Sequence, residues 1–375
     1  MIYLDYSANT PVDARVLEQF CAVERRCIGN ANSHHQAGSA AKAEIDAATI
    51  KIASLLGVQP AEIIYTSGAS EANNFALKGL ARLSRHAGRH IISTPLEHSS
   101  VSGTLTALQE QGYEIDLLDV KQDGTVDLEH LKDLLRPDTI CVAVTLVDSE
   151  LGVVQPVQEI AAILKAYPHC HLHVDATQAV GKIPVSFEGV DTMSLTAHKF
   201  YGLNGIGLLL KRRNLALEPL IHGGESTTIY RSGTPTVALA SSLACALDLA
   251  VIDLPNRVDH VAKLNAELRA ALSTYPLVRI NSPENAVPQI LNLSVKDVKG
   301  TVFQRELDAK GVCVSVKSAC SSDGLPSRAV FAVSRDRRNA LSSWRISLSH
   351  LTTEDEIKAF LQAFDVCCRE LTALH

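Results

Sequence analysis

Short apolar runs alternate with segments of helical spacing through the middle of the chain. The runs are rich in Ile and Val and predict buried strands, whereas apolar residues recurring with a helical period predict helices. Strands and helices that alternate in this way indicate an α/β fold with a mostly parallel sheet covered by helices on both faces. The predicted strands cover residues 62–66, 90–94, 114–118, 139–145, 171–175 and 191–195, and the helices between them cover 70–85, 98–111, 128–135 and 157–166.

The pattern changes near residue 255. Before the strands, helical spacing covers residues 15–26 and 37–56, and after them a mostly apolar helix opens at Pro235 and ends before Pro255. The rest of the chain is typical of a small α+β domain. At 375 residues the chain exceeds what one hydrophobic core usually holds, so two domains are expected. Beyond 255, helices are predicted at 256–273, 301–310 and after the cap at 352–353, and strands at 288–295, 312–316 and 344–348.

One lysine lies where a cofactor aldehyde would need it. Lys199 follows the predicted strand 191–195 and precedes glycine turns that lead into another buried strand ending near residue 210. A lysine that binds an aldehyde cofactor must lose its proton near neutral pH, and neighbouring hydroxyl and imidazole groups suit a phosphate. Thr196 and His198 supply those groups. The alternative is a surface lysine that ends a strand.

Two other strand ends favour the cofactor interpretation. The predicted strand 171–175 ends in Asp175, and a carboxylate beside a pyridine nitrogen keeps that nitrogen protonated. Ser70 lies in a Ser/Gly turn at the start of a helix, where backbone N–H groups form an anion site, although such a turn is also an ordinary helix cap. Because ligands collect at the carboxyl ends of strands in α/β sheets, Ser70, His98, Asp175 and Lys199 predict a pyridoxal phosphate site.

A cysteine in a polar loop is a candidate nucleophile. Cys320 lies in a segment rich in Ser, Gly and Pro, where a thiol is accessible, and Lys317 precedes it closely enough to favour the thiolate. An incidental loop cysteine is the alternative. The chain has nine cysteines, an odd number without paired C-x-x-C spacing, which favours neither a disulfide framework nor a zinc site.

Motifs spread over nearly the whole chain resemble those of the cysteine desulfurases. That family implies fold-type I of the pyridoxal-phosphate-dependent transferases, class V of the aminotransferases, and a homodimer that takes sulfur from L-cysteine. It also implies that residues 1–14 belong to the small domain at 256–375, which leaves 15–255 as the large domain. The matching segments are YLDYSA at 3–8, YTSGASE at 65–71, EH at 97–98, GVV at 152–154, HVDATQ at 173–178, HK at 198–199, YG at 201–202, RSGT at 231–234, SAC at 318–320 and WRISL at 344–348.

The resemblance implies a role for each matching residue. Lys199 would hold the cofactor and move the Cα proton, and Cys320 would take the sulfur as a persulfide while L-alanine is released. His98 would stack on the pyridine ring and act in proton transfer, and Arg345 would bind the substrate carboxylate. The other residues expected at the cofactor are Asp175 at the ring nitrogen, Gln178 at the phenolic oxygen, Ala69, Ser70, Thr196 and His198 at the phosphate, Thr234 from the other subunit, and Ser149, which would also contact the substrate.

Three positions depart from the family pattern. Ser149 stands where an asparagine is usual, so a shorter side chain would lose its contact or reach it through water. Glu225 and Ser226 replace a third glycine and the start of a Gln/His-Glu pair, and Lys317 replaces a glycine beside Cys320. These departures keep two alternatives open: another pyridoxal phosphate activity, such as a selenocysteine or C–S lyase or an aminotransferase, and a weakly active subunit that needs a partner.

Composition and charge limit the partners and the location expected for the protein. The net charge of −6 comes without long blocks of one sign, and the basic cluster 211–213 is short, so neither nucleic acid nor an anionic membrane surface is an expected partner. Polar residues interrupt the first ten positions, and no apolar stretch approaches the roughly 20 residues of a membrane span. We therefore expect a cytoplasmic enzyme with L-cysteine as substrate and a sulfur-acceptor protein, for a scaffold or for tRNA thiolation, as partner.

Overall fold

A computed structural model describes residues 1–317 and 325–372, so Cys320 lies outside the described residues. The helices are α1 Ala14–Arg26, α2 Gln36–Leu56, α3 Ala69–Leu83, α4 Ser99–Gln109, α5 Leu128–Leu134, α6 Val157–Leu164, α7 Val237–Ile252, α8 Leu254–Leu272, α9 Gly300–Ala309, α10 Arg328–Ser334, α11 Arg337–Ser342 and α12 Glu354–Thr372. The strands are β1 Ile2–Tyr3, β2 Ile63–Thr66, β3 His90–Ser93, β4 Glu114–Leu117, β5 Thr139–Thr145, β6 His171–Asp175, β7 Thr192–Thr196, β8 Gly207–Lys211, β9 Val278–Ile280, β10 Ile290–Val295, β11 Val312–Cys313 and β12 Ser343–Ser347.

A seven-stranded sheet forms the centre of the larger part of the molecule. Its strand order is β2-β8-β7-β6-β5-β3-β4, and the strands are parallel except for β8, which runs antiparallel to both of its neighbours. Residues 142–144 of β5 alternate between two cores: Val142 and Val144 join one with α2, α6 and α7, and Ala143 joins another with α3 and α4. The predicted mostly parallel sheet with helices on both faces is confirmed.

The sheet brings several chain segments to one edge. β6 ends at Asp175 and β7 ends at Thr196, and because these neighbours are parallel, both ends lie on the same side. β5, also parallel to β6, ends there at Thr145. Helix α3 begins after β2, which runs in the opposite direction to β8, and α4 begins after His98, beyond the end of β3. This edge is therefore where polar side chains from distant parts of the sequence converge.

A separate hydrophobic core unites the C-terminal region with the start of the chain. Trp344 of β12 stacks on Phe303 of α9 with ring centroids 5.1 Å apart, and Phe360 and Phe364 of α12 complete the aromatic cluster. Leu4 belongs to this core, and β1 pairs in parallel with β11. The division into domains 15–255 and 1–14 with 256–375 stays a prediction, which this packing supports.

The structure corrects several predicted elements. Helices α10 and α11 and strand β9 were not predicted, because each is too short to show a clear period. The predicted strand 312–316 is ordered as a strand only over Val312–Cys313, after which Ser315 forms an isolated bridge with Arg345.

The helices around Pro255 also bear on the membrane prediction. Across residues 1–317 and 325–372, no single helix is long and apolar enough to cross a membrane. Helices α7 and α8 meet the length and composition requirement only as a pair, and they are bent by 65° at the residue that separates them.

Candidate active site

A cavity of about 350 Å³ opens at the carboxyl edge of the sheet. Thr234 does not line it but lines a neighbouring cavity of about 180 Å³, and Ser67 contributes to both. Cys320 lies outside the described residues. The structure brings the other predicted site residues together around the larger cavity: Ala69, Ser70, His98, Ser149, Asp175, Gln178, Thr196, His198, Lys199 and Arg345.

Lys199 lies in a short 3-10 helix that follows β7 directly. Its Nζ donates hydrogen bonds to the carbonyl oxygens of Ser7, at 2.8 Å, and Ala8, at 2.6 Å. The backbone of the N-terminal arm is tied to the same turn, since Thr10 N–H donates to the His198 carbonyl and Tyr201 N–H donates to the Thr10 hydroxyl. The arm therefore forms one wall of the cavity and holds the amine at its rim.

Asp175 is buried at the end of β6 with two donors on its carboxylate. The backbone N–H of Thr177 donates to Oδ1 at 2.9 Å, and Nδ2 of Asn73 donates to Oδ2 at 2.8 Å. Both oxygens are thereby oriented, because each accepts from a group with a fixed position. A carboxylate held in this way suits a partner that carries an N–H, such as a protonated ring nitrogen.

His98 caps the N-terminus of α4 with its side chain. Its Nδ1 accepts from the backbone N–H of Ser100 at 3.2 Å and lies 2.9 Å from the Ser100 hydroxyl. Burial lowers the pKa of His98, and the charge of Lys199 lowers it further, against the opposing effect of Asp175. The ring is therefore neutral at physiological pH.

The first turn of α3 offers an anion site. Gly68 precedes it with φ at 155°, a conformation that favours glycine, and the N–H groups of the first helical residues have no partner within the helix. Beside Gly68, the hydroxyl of Thr196 lies 3.1 Å from Nδ1 of His198, and burial lowers the pKa of His198 to about 4. The negative charge of Glu71, in the same turn, is compensated by Arg231, whose Nε lies 3.1 Å from Oε1 of Glu71.

These groups fit pyridoxal phosphate. The cofactor requires an amine for its aldehyde, an acid for its ring nitrogen and donors for its phosphate, and the cavity presents Lys199, Asp175 and the start of α3. Two buried polar atoms near Asp175 could contact the cofactor. Within the described part of the chain, Oγ1 of Thr177 and Oε1 of Gln178 form no hydrogen bond. The Nε2 of Gln178 donates to the Ser7 carbonyl at 2.9 Å and retains a second hydrogen for a ligand.

Arg345 is almost fully buried, with 1% of its surface exposed. One terminal nitrogen forms an ion pair with Asp5 at 2.9 Å, and the other donates to the backbone carbonyl of Ser149 at 2.6 Å. Its Nε has no partner among the described residues. Ser149 therefore contacts the guanidinium through its main chain, which any residue supplies, and its short side chain only lines the cavity.

Sequence reasoning missed three polar groups around this site, of which Asn73 and Lys182 are buried and Asp5 is partly exposed. Asn73 follows the turn at Ser70 by one helical turn, and its polarity on an otherwise apolar face of α3 was the available signal. Asp5 lies in a matching motif but was assigned no role. Lys182 is buried without a described partner for Nζ, in a small cavity that Lys199 also lines, and burial lowers its pKa to about 7.

Glu97, the residue before His98, yields a prediction about stability. Its Oε1 accepts from the Thr94 hydroxyl and the Thr145 N–H, and burial, with Asp175 and Asp148 nearby, raises its pKa to about 8. The folded state thus keeps a proton that the unfolded state releases above pH 4.5. The stability that this proton contributes is complete below that value and is lost as the pH rises through about 8.

Replacing Glu97 with glutamine removes this titration and keeps the acceptor oxygen. We expect the free energy of unfolding of Glu97→Gln, relative to that of the wild type, to increase by roughly 1 kcal/mol for each unit of rising pH. The measurement is unfolding in urea from pH 5 to pH 8. Glu129→Gln is the matched control, because the Glu129 side chain is 79% exposed. Parallel curves for wild type and Glu97→Gln would contradict a buried proton on Glu97.

The fold and the cavity define an α/β transferase built for pyridoxal phosphate, and comparison with known proteins agrees. The family model for aminotransferase class V matches residues 2–360. The chain is 36% identical to a cysteine desulfurase IscS of Dictyoglomus turgidum, over all of this chain and 96% of that protein, and 40% identical to one of Proteus mirabilis, over 95% and 90%. A solved NifS-like protein superposes with a TM-score of 0.91 at 36% identity, over 97% of this chain and 98% of that one.

The chain belongs to the class-V aminotransferase family, whose members depend on pyridoxal phosphate. The resemblance to cysteine desulfurases that the motifs predicted is confirmed over nearly the full length, and so are the predicted enzyme class and cofactor. The roles of the individual site residues stay predictions, and they are argued next as proposals.

Proposed function

We propose that this enzyme moves the sulfur atom of L-cysteine onto the thiol of Cys320 and releases L-alanine. The observation that carries the proposal is the convergence of an amine, an oriented carboxylate and a buried arginine on one cavity: Lys199, Asp175 and Arg345. An amine and an acid suit the cofactor, and the arginine adds a site for the carboxylate of an amino acid. The class of relatives supports sulfur transfer as the reaction.

Arg345 binds the substrate carboxylate in this proposal. Its guanidinium carries five N–H donors, of which the structure pairs one with Asp5 and one with the Ser149 carbonyl. The remaining donors leave room for a bidentate contact with a second carboxylate. Because Arg345 is held on both sides, it orients the substrate without first losing much side-chain freedom.

Pyridoxal phosphate, when bound, supplies the electron-accepting ring that stabilises negative charge at Cα of the substrate. Asp175, whose oxygens are fixed by Asn73 and Thr177, would hold a proton on the ring nitrogen of the bound cofactor. The Nζ of Lys199 would take the proton from Cα of the substrate. The phosphate would be held by the first turn of α3 from Ala69 and Ser70, by Thr196 and His198, and by Thr234 of the other subunit, and Gln178 would donate to the phenolic oxygen.

The sulfur step breaks the C–S bond of the substrate and forms an S–S bond on Cys320. The Cys320 thiolate attacks the sulfur of the substrate, the C–S electron pair stays with the substrate carbon, and protons from the protein or water complete L-alanine. Cys320 then carries a persulfide, and no external oxidant is consumed. The protein is ready for the next turnover when an acceptor takes the terminal sulfur atom.

Elimination supports Cys320 as the acceptor thiol. The eight cysteines in the described parts of the chain do not line the cavity. Burial raises the pKa of Cys170 and Cys368 to about 12, which opposes thiolate formation. Cys320 follows Ser315 by five residues, and the backbone of Ser315 pairs with that of Arg345. A span of five residues is at most about 18 Å long, which is the greatest separation that the chain allows between Ser315 and Cys320.

Assembly and partners complete the proposal. We infer a homodimer, because Thr234 lies in the cavity next to the cofactor site rather than in it, and because Ile229 is 65% exposed in the adjoining segment. A second copy of the chain would cover this surface and bring its own Thr234 to the phosphate. We further propose a cytoplasmic location and a sulfur-acceptor protein, of the scaffold or tRNA-thiolation type, that docks near the Cys320 segment.

The test is to incubate the purified holoenzyme with L-cysteine and quantify both products. We expect L-alanine in amounts equal to the sulfur transferred, with the added sulfur mapped by mass spectrometry to Cys320. Pyruvate and sulfide without protein-bound sulfur would instead indicate a C–S lyase. No product without an added partner protein would indicate a subunit that depends on that partner. Faster turnover of L-selenocysteine without a persulfide would indicate a selenocysteine lyase.

A further inference from the structure

A chain of buried hydrogen bonds connects the carboxylate of Asp175 with the imidazole of His98. Its central member is Asn73, whose Nδ2 lies 2.8 Å from Oδ2 of Asp175 and 2.9 Å from the hydroxyl of Ser100. The Ser100 hydroxyl lies in turn 2.9 Å from Nδ1 of His98. On the other side, Oδ1 of Asn73 lies 3.0 Å from Nε2 of His173. Helices α3 and α4 and strand β6 thus meet in one network.

The chemistry of the partners gives each bond its direction. A carboxylate only accepts, so the atom of Asn73 that faces Asp175 is the amide nitrogen. The two hydrogens of that nitrogen then go to Asp175 and to the Ser100 oxygen. Because the Ser100 oxygen accepts from Asn73, its own hydrogen is directed to Nδ1 of His98. The backbone N–H of Ser100 donates to the same nitrogen at 3.2 Å.

The opposite end of Asn73 gives a consistent result. Its Oδ1 accepts from the Ser194 hydroxyl and faces Nε2 of His173, which therefore carries a hydrogen. Nδ1 of His173 is left as an acceptor for the Thr192 hydroxyl at 2.9 Å. Burial lowers the pKa of His173 to about 4, so this ring is neutral, as that arrangement requires.

We propose that Asn73 and Ser100 are positioning residues that hold His98 as the neutral tautomer with its hydrogen on Nε2. Two donors occupy Nδ1, so that nitrogen cannot take a proton without losing both hydrogen bonds. His98 then serves the cavity as a hydrogen-bond donor through Nε2–H and as a flat ring surface. Nδ1 then stays unprotonated, so any proton that His98 exchanges with the cavity passes through Nε2.

The charges around His98 are compatible with this assignment. The charged groups that act on the ring are Asp175, which favours the imidazolium, and Lys199, which opposes it. Burial of the ring outweighs the carboxylate, and Asp175 is already occupied by donors from Asn73 and Thr177. The inference refines the expected role of His98 in proton transfer by assigning its exchangeable hydrogen to Nε2. It rests on the proposed function only for placing His98 in a reaction.

The experiment is a pH titration of the holoenzyme labelled with [15N]histidine, followed by NMR of the imidazole nitrogens. His98 is assigned as the signal lost in His98→Gln. We expect its Nδ1 to show the shift of an unprotonated nitrogen and its Nε2 that of a protonated one, without a change from pH 6 to pH 9. A hydrogen on Nδ1, or a titration of His98 within that range, would overturn the proposal.

Variants of Ser100 separate positioning from packing. Ser100→Ala removes one of the two donors to Nδ1, so the midpoint of His98 protonation, followed in a titration extended below pH 6, is expected to rise by about one pH unit, a tenfold change in proton affinity. Ser100→Thr retains the hydroxyl and should keep the wild-type midpoint. Ser102→Ala, on the same helix, is the control and should change nothing. An unmoved midpoint in Ser100→Ala would count against the proposal, whether or not the enzyme forms L-alanine.

Discussion

Replacing Lys199 with alanine is expected to abolish the release of L-alanine from L-cysteine, with a fall in turnover of at least about 10³-fold. The physical reason is that Lys199 is the amine at the carboxyl edge of the sheet, aimed by the Ser7 and Ala8 carbonyls, that both anchors the cofactor aldehyde and moves the Cα proton. The loss of turnover is measured as L-alanine formation under saturating pyridoxal phosphate. The loss of the covalent anchor is measured by the absorbance of the bound cofactor.

A matched control distinguishes this loss from general effects of removing a lysine. Lys165, at the end of α6, is exposed and distant in sequence, so Lys165→Ala is expected to keep the wild-type turnover. Thermal unfolding of both variants establishes that they are folded. If Lys199→Ala retained more than a tenth of the wild-type rate, another amine would be the anchor, and Lys182, which lines the small cavity behind Lys199, would be the first to examine.

The central sheet could be predicted because burial imposes a strong pattern on it. All seven residues of β5 and all five of β8 are buried, and these strands contain continuous apolar runs, at residues 140–144 and 207–210, that mark them as strands. The positions of Asp175 and Lys199 followed from the same pattern. A polar residue at the end of such a run lies at the edge of the sheet, and parallel neighbours bring such residues together.

The direction of β8 was not predicted. A parallel strand needs a crossover of about a dozen residues, usually a helix, whereas only residues 197–206 separate β7 from β8. That connection contains Gly202 and Gly205, and Gly205 has φ of 85°. The short, glycine-containing link therefore fits an antiparallel return, and the sequence contained this signal although it was not used.

Contacts between residues that lie far apart in the sequence could not be predicted from the sequence. Asn73 and Asp175 are 102 residues apart, and Asp5 and Arg345 are 340 apart. Local spacing predicts which side chains are polar and which element carries them, but not which of them meet after folding. The ion pair of Asp5 with Arg345 joins the N-terminal arm to β12, and the Ser149 carbonyl joins both to the large sheet region. The substrate site in this proposal thus depends on contacts from three separate segments.

Replacing Cys320 with alanine is expected to stop sulfur transfer while the cofactor stays bound, since the thiol receives sulfur and the amine at Lys199 is untouched. Incubation with L-cysteine should then leave no persulfide on the protein, and L-alanine formation should fall by at least about 10²-fold. Cys313→Ala is the matched control, because Cys313 lies in β11 of the same region and burial raises its pKa. Wild-type L-alanine formation by Cys320→Ala would mean that carbon–sulfur cleavage proceeds without a protein thiol, whereas loss in both variants would point to damage in the small domain rather than to a missing nucleophile.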